Sequence, residues 1–288
     1  MTGKIISTCG GVYRIYCDGA CYDVFAKGIF KYRKEHICVG DNVDFDEDNF
    51  VITKIFDRKN EFIRPKCANI DLVLVTMSVV EPELSEELIY KFLTYVLMHN
   101  VEAKVVLTKV DVLKDFSKIQ RIKDDLAKIG IETFFVSKDD ENSKENIQRI
   151  IKGKVVLFMG QTGVGKSSLI NSIDPAFNRK IGEYSTALGR GKHQTKEVIL
   201  LPHEDSFLAD TPGFSSLDLM IYKEDLAQYF PGYEKYYTQC YFSNCLHQNE
   251  KQCKIKEEIE NGHLSKEAHE IYKKLLVELE YRQERYKR

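Results

Sequence analysis

Along the first part of the chain, apolar side chains come in short runs that alternate with polar ones and are broken by turn residues. YRIYCDGACYDVF sets β-rich stretches on both sides of Asp18-Gly19, two residues that tolerate positive φ, and so predicts a hairpin. DNVDFDEDNFVITKIF repeats the pattern, with Val43 and Phe45 alternating and DEDN as the turn. No helical spacing is evident between Lys4 and Arg64. An all-β module over 1–65 is expected, a small barrel of which an OB-like barrel is one form.

Beyond Arg64-Pro65 strands alternate with helices. IDLVLVTMSVV is almost continuously apolar, as a strand covered on both faces should be. Leu88, Ile89, Phe92, Leu93, Val96 and Leu97 recur at helical spacing behind Ser85 and two acidic residues. EAKVVLT is the next strand; Ile119, Ile122, Leu126 and Ile129 mark a helix that Gly130 stops; IETFFVS, ENIQRIIKG and GKVVLFMG continue as strand, short helix and strand. This rhythm predicts a parallel α/β domain over 66–222. The remainder, 223–288, is aromatic, then cysteine-containing, then helical from Lys254, with Ile271, Leu275, Leu276 and Leu279 as an apolar stripe, and reads as a small third module.

Composition adds limits. With 43% apolar and 30% charged residues the 288-residue chain is ordinary for a globular protein, and its net charge of -2 means that any nucleic-acid affinity must come from local patches. The start lacks a signal-peptide profile and no window approaches a membrane span, so a cytoplasmic location without membrane attachment is expected. Of the eight cysteines, Cys9, Cys17, Cys21, Cys38 and Cys67 are scattered through apolar segments and are expected as buried free thiols. Cys240, Cys245, His247 and Cys253 instead form C-x4-C-x-H-x5-C, three thiolates and an imidazole suited to one tetrahedral, structural Zn²⁺.

GQTGVGKSSLIN, between an apolar strand and a helix, satisfies GxxxxGK[ST] with Gly160, Gly165, Lys166 and Ser167. In such a loop, here Gly160, Gln161, Thr162, Gly163, Val164 and Gly165, backbone N–H groups surround phosphates. Lys166 reaches the β and γ phosphates, and Ser167, followed by Ser168, ligates Mg²⁺. Downstream, SFLADTPGF ends a strand at Asp210, which can hold Mg²⁺ through water, and Gly213 can offer its N–H to the γ phosphate. Thr108, Lys109, Val110 and Asp111 resemble the N/TKxD guanine signature, in which Asp accepts from guanine N1 and N2 and the Lys stem lies along the ring. Ser137 fits the companion base loop. A bland surface tetrapeptide or glycine-rich turn is the competing reading of each motif alone; their shared α/β context favours a Mg-GTP site.

The motif order is base signature, base loop, phosphate loop, DTPG, whereas ordinary GTPases place the base motifs last. The chain therefore resembles the circularly permuted GTPases of the RsgA (YjeQ) family, which act in small ribosomal subunit assembly. The likeness runs over the N-terminal β module, RPKCANIDLVLV, TKVD, GQTGVGKSSLIN, GRGKHQT, DTPGF and the cysteine cluster. It implies three parts: an OB-like barrel, a permuted P-loop GTPase domain and a zinc-binding helical module. The implied activity is hydrolysis of GTP to GDP, late in maturation of the small (30S) subunit, with 16S rRNA as partner, hydrolysis linked to release, and a monomeric chain.

Thr195, in GRGKHQT, is the candidate to hold Mg²⁺ and the γ phosphate. Phe214 follows the DTPG turn where many GTPases carry the glutamine that orients water, so another group must serve. The resemblance points to His193 as catalytic, with Lys166 and Thr195, while Gln194 replaces the family's usual Thr. Lys27, Lys31, Arg33 and Lys34, interleaved with Phe30 and Tyr32, form a candidate RNA-binding loop, and YRQERYKR is a second basic patch. A nucleotide-regulated RNA-binding switch with incidental hydrolysis is the alternative, and a P-loop small-molecule kinase a third.

Overall fold

The computed structural model describes residues 1–32, 36–137, 140–177, 179, 198–211 and 217–286; the side chains of Ile29, Lys31, Asp210 and 283–286 lie outside that description. Five strands, β1 (Thr2–Cys9), β2 (Val12–Cys17), β3 (Ala20–Ala26), β4 (Asn42–Asp46) and β5 (Val51–Ile55), close into a barrel in the order β1-β2-β3-β5-β4. Alternation drives the closure, because Ile5, Ile15, Val24, Val43, Phe45 and Ile52 all point inward and are buried. The β2–β3 turn is the expected hairpin, with Asp18 and Gly19 at φ 49° and 84°.

One expectation is corrected here. The basic-aromatic stretch contains a short helix, α1 (Gly28–Tyr32), and Phe30 is buried in the barrel core rather than presented to solvent. A five-residue helix with one core contact leaves no periodicity in sequence. Tyr32 is exposed and Lys27 lies on the surface, while Arg33 and Lys34 are outside the described residues.

A ribbon of β6 (Glu61–Phe62) and β7 (Cys67–Ala68) follows the barrel, and Arg64-Pro65, where the rhythm changes, lies between its strands. Asp41, whose side chain is wholly buried, accepts from Arg58 Nε (2.7 Å) and Nη2 (2.9 Å) and from the Cys38 N–H (2.8 Å). Arg58 also pairs with Glu61, so one carboxylate fastens the 38–41 loop to the segment leading into the ribbon.

Next come β8 (Leu72–Ser78), α2 (Glu86–Leu97), β9 (Glu102–Thr108), α3 (Ser117–Lys128), β10 (Thr133–Val136), α4 (Glu141–Ile151), β11 (Val155–Met159), α5 (Lys166–Ile173), β12 (Ile199–His203) and β13 (Ser206–Asp210). Their sheet has the order β10-β9-β8-β11-β13-β12, parallel except for β12. Alternate residues feed two cores: Leu72, Leu74, Val156 and Phe158 on one face, Val73, Val75, Leu157 and Met159 on the other. Ser85 caps α2 by accepting from the Leu88 N–H (3.2 Å). Gly130, at φ 81°, follows the end of α3. Helix α4 begins one turn before the ENIQRIIKG stretch because Asp140 caps it, accepting from the Asn142 N–H (3.0 Å).

The C-terminal region holds α6 (Leu226–Tyr229), the cysteine loop, α7 (Lys254–Glu260) and α8 (Lys266–Tyr286). Ile271, Leu275, Leu276 and Leu279 are buried as the stripe predicts, in the same cluster as Tyr90, Phe92 and Leu93 of α2. Tyr90 stacks on Phe230 at 5.4 Å, so this region and the α/β domain share a core. Cys17, Cys38 and Cys67 are buried as expected, but Cys9, at the end of β1, is half-buried, and Cys21 is exposed, since β3 buries only Val24. Among the described residues no helix is long and apolar enough to cross a membrane.

Candidate nucleotide site and cysteine–histidine cluster

The chain lays down β8 first, then adds β9 and β10 outward on one side before crossing back to β11 on the other. Growth of the sheet reverses between β8 and β11, the kind of switch point at which open α/β sheets bind ligands beyond their carboxyl ends. Residues 160–165 emerge there. Gly160 is forced by proximity: a Cβ on it would sit 2.1 Å from the Thr76 carbonyl oxygen of β8. Gly163 and Gly165 adopt φ 83° and 94°, which only glycine takes without strain. Val164 is buried and pins the loop, while Gln161 is half-buried and Thr162 and Gly163 are exposed. Lys166 is buried and folds over the loop, its Nζ donating to the Gly160 (3.0 Å) and Gln161 (2.9 Å) carbonyls. Ser167 and Ser168 are exposed in the first turn of α5, where helix N–H groups favour anions.

The TKVD motif ends β9, next to β8. Thr108 Oγ1 donates to the Val164 carbonyl (2.5 Å) and has the Met77 carbonyl within 3.3 Å. Lys109, in the left-handed conformation at φ 61°, sends Nζ to the Gly163 carbonyl (3.1 Å) and the Glu81 carbonyl. The base signature is thus bonded directly to the phosphate loop. Val110 is buried, and Asp111 is exposed in a short 3-10 turn, Val110–Val112. Ser137, half-buried, leaves the adjacent β10. On the other flank, Asp210 pairs with Phe158 in the β13–β11 register. Thr211 of the DTPG turn donates to the Phe158 carbonyl (2.8 Å), tying that turn to the phosphate strand. The structure therefore lines up Thr108, Lys109, Asp111, Ser137, residues 160–168 and the Asp210 backbone along one sheet edge. His193, Gln194, Thr195, Gly213 and Phe214 lie outside the described residues.

Sequence reasoning missed the 78–82 loop. Ser78 Oγ accepts from the Val80 (3.3 Å) and Glu81 (3.1 Å) N–H groups and aims the Glu81 carbonyl at Lys109. Its signal was its position, just past the carboxyl end of the central strand.

In the C-terminal region, the donor atoms of Cys240, Cys245, His247 and Cys253 lie within 4.8 Å of one another and can hold a metal ion. His247 Nδ1 is 3.4 Å from Cys240 Sγ and 3.5 Å from Cys253 Sγ, and those sulfurs are 3.9 Å apart. Glu250 shapes the loop by accepting from the Leu246 (2.8 Å) and Gln248 (2.7 Å) N–H groups. The Lys254 N–H points at Cys240 Sγ (3.3 Å). Burial pushes the Cys245 thiol up to about 12 and holds His247 down to about 4, so the imidazole is a neutral donor at pH 7. In the C-terminal basic patch, Arg282 is half-buried, pairs with Asp218 and donates to the Leu219 carbonyl (3.0 Å).

Family models for the RsgA GTPase and the RsgA N-terminal domain match residues 55–220 and 2–51. The chain is 38% identical to a small ribosomal subunit biogenesis GTPase RsgA of Staphylococcus carnosus, covering 99% of each chain. It is 39% identical to one of Streptococcus pneumoniae, covering 100% of this chain and 98% of that one. Among solved structures it resembles YloQ, described as a circularly permuted GTPase, with TM-score 0.81, 31% identity and coverage of 98% and 95%. It also resembles YjeQ from Thermotoga maritima, with TM-score 0.84, 29% identity and coverage of 96% and 98%. With its base signature ahead of the phosphate loop and both joined at one sheet edge, the chain belongs to the RsgA family of circularly permuted GTPases.

Proposed function

We propose that this GTPase acts on the small (30S) ribosomal subunit late in its maturation, binding the subunit and 16S rRNA in the GTP state, with hydrolysis linked to release. The observation that carries the nucleotide half is the Lys109 bridge, which bonds a guanine-type signature to the loop built for phosphates. Asp111 and Ser137 would select the base; Thr108, Lys109 and Val110 hold the strand end; residues 160–168 cradle the phosphates. Asp210 and Gly213 meet the γ phosphate side.

Lys166 donates to the Gly160 and Gln161 carbonyls, and its ammonium, with three N–H donors, would also reach the β and γ oxygens of a bound nucleotide. Mg²⁺, held by Ser167, Thr195 and, through water, Asp210, would neutralise charge on the transferring phosphoryl group. Phe214 cannot orient water, so His193 is assigned that role; His193→Ala should abolish subunit-stimulated hydrolysis, and an unaffected rate refutes the assignment. The ribosomal half rests on the relatives' names and on 38% identity over nearly the full length.

The cysteine cluster suits zinc. Tetrahedral Zn²⁺ with Zn–S and Zn–N near 2.3 and 2.0 Å needs S···S about 3.8 Å and S···N about 3.5 Å, close to the spacings observed. With four protein donors the site is closed and structural. We assign three domains at 1–65, 66–222 and 223–288, a cytoplasmic monomer. GTP hydrolysis titrated with purified small subunits tests the function: stimulation is expected, and equal rates with and without subunits would favour a switch in which hydrolysis is incidental.

A further inference from the structure

Three lysines converge on a cleft of about 390 Å³ where the barrel meets the α/β domain, at the amino ends of β8 and β11 and so at the far end of the sheet from the phosphate loop. Lys4 comes from β1, Lys59 from the segment after β5, and Lys154 from just before β11. Two of them have carboxylate partners: Lys59 pairs with Asp71, and Lys154 with Glu102 (2.8 Å). Lys4 differs. Its Nζ meets two neutral acceptors, Asn42 Oδ1 (2.8 Å) and the Gly40 carbonyl (3.4 Å), and lies 5.8 Å from the centre of the Phe207 ring.

The carboxylates nearby are largely engaged by other groups. Asp71 also accepts from the Val155 N–H (2.8 Å), Asp205 from the Gly153 N–H (3.0 Å), and Asp41 from Arg58 and the Cys38 N–H, while Asp57 stands on the exposed rim. Burial first, and the Lys59 ammonium second, bring Lys4 down to about 8, against an upward pull from Asp71 and Asp41. The hydrogen-bond count points the same way. An ammonium has three N–H groups to place, and among the described residues Nζ has two acceptors. A neutral amine matches them with two N–H groups and leaves its lone pair for the cleft.

An amine taken out of water beside a second cation is one form of activated lysine nucleophile. A small acyl group is the product that suits this position, because an amide removes the charge that burial penalises and keeps one N–H for Asn42. We propose that Lys4 is a modification site, acylated from small acyl phosphates that enter the cleft between the barrel and the α/β domain. The Nζ lone pair bonds to the acyl carbon and the C–O bond to phosphate breaks. Phosphate leaves with that electron pair and takes up the amine proton through water, so that an amide and hydrogen phosphate are formed. The entrance lies past Asp57, Lys59 and Asp205, all exposed. Acylation thus exchanges a cation for an amide at the joint of two domains, far from the nucleotide.

The test is acetylation of the full chain by acetyl phosphate, with Nα-acetyl-lysine in the same tube as the standard and peptide mass spectrometry to read the initial rate at Lys4. At pH 7 folded Lys4 should react at least about tenfold faster than the standard, having far more neutral amine. Between pH 7 and pH 9 its rate should climb about tenfold and level off, while the standard climbs about a hundredfold. In chain unfolded by guanidinium chloride the excess should vanish. Lys59→Met, which removes the second ammonium and releases Asp71, should slow Lys4 about threefold or more at pH 7. A folded Lys4 no faster than the standard overturns the proposal, as does an excess that persists in the unfolded chain, a rate that climbs in step with the standard, or one unchanged by Lys59→Met.

Discussion

Adding a single methyl group at Gly160 probes the joint on which the nucleotide site is built. A Cβ there would lie 2.1 Å from the Thr76 carbonyl oxygen, 3.1 Å from its carbon and 3.3 Å from Val164 Cγ2, whereas ordinary contact begins at 3.4 Å. The two backbones must therefore part by about 1.3 Å, in a layer where overpacking costs about 1–3 kcal/mol. Neither side can yield alone. Thr76 lies between paired strands, and Val75 and Met159 face each other in the β8–β11 register just before the loop. The shift would be passed to the loop carbonyls that hold Lys166 and Lys109. A displacement of about 1 Å at reacting groups costs on the order of a hundredfold in rate. Gly160→Ala should thus weaken GDP and GTP binding at least about tenfold, roughly 1.4 kcal/mol, with a lower urea midpoint. Gly163→Ala is the comparison: its Cβ would meet only Pro82 Cδ at 3.9 Å, leaving the positive φ as the cost, about 1–2 kcal/mol. Fluorescent-nucleotide titration and urea unfolding measure both. A Gly160→Ala protein that binds within twofold of wild type, or a Gly163→Ala protein that is the weaker binder, refutes the argument.

Asp41→Ala leaves the Cys38 N–H without its acceptor and takes one carboxylate from Arg58, which keeps Glu61, and should destabilise the chain by about 1–3 kcal/mol in urea titrations; a change below about 0.5 kcal/mol would mean that the carboxylate is not the fastening described. Burial lowers Lys4 to about 8 from its ordinary 10.5, so the folded chain binds fewer protons than the unfolded one between those values. Its stability on this account rises with pH across that window, and the charged lysine is a burden below it. Lys4→Met should then stabilise the chain relative to wild type most at pH 7 and least near pH 10.5, by a difference of up to about 3 kcal/mol; a pH-independent offset would refute the assignment. Purified protein should carry one zinc per chain by elemental analysis, and Cys253→Ser should lose it and lower the melting temperature of the C-terminal region, whose core Cys253 joins. Full thermal stability in the metal-free variant would show the ion to be dispensable.

Motifs were legible where chemistry demands a short contiguous pattern. GQTGVGKS, TKVD and C-x4-C-x-H-x5-C each bring their residues together within one turn or loop, and the donor atoms of the cysteine cluster do converge. Long helices were legible too, because stripes such as Ile271 to Leu279 repeat often enough to rise above chance. Helix α1 was not, since Gly28–Tyr32 is too short to show a period and Phe30 looks like a stacking residue until the barrel closes around it. Cys21 was misjudged for a related reason: burial on β3 depends on which face meets the core, and one buried residue in seven sets no visible alternation. The contacts of Arg282 with Asp218 and of Ser265 with Asp125 join residues far apart in the chain, and no local pattern encodes them.

β12, the outermost strand of its sheet among the described residues, contacts β1 of the barrel, and beside it Tyr16 of β2 meets Phe207 of β13 edge-on at 5.6 Å. A sheet edge left open presents a row of unpaired N–H and C=O groups to any passing strand, and proteins commonly protect such edges by covering them. Among the described residues, the barrel fills part of that role here. A chain shortened to begin after β5 would keep every nucleotide motif yet bare this flank, and should self-associate through it. The barrel is in that sense a guard against aggregation.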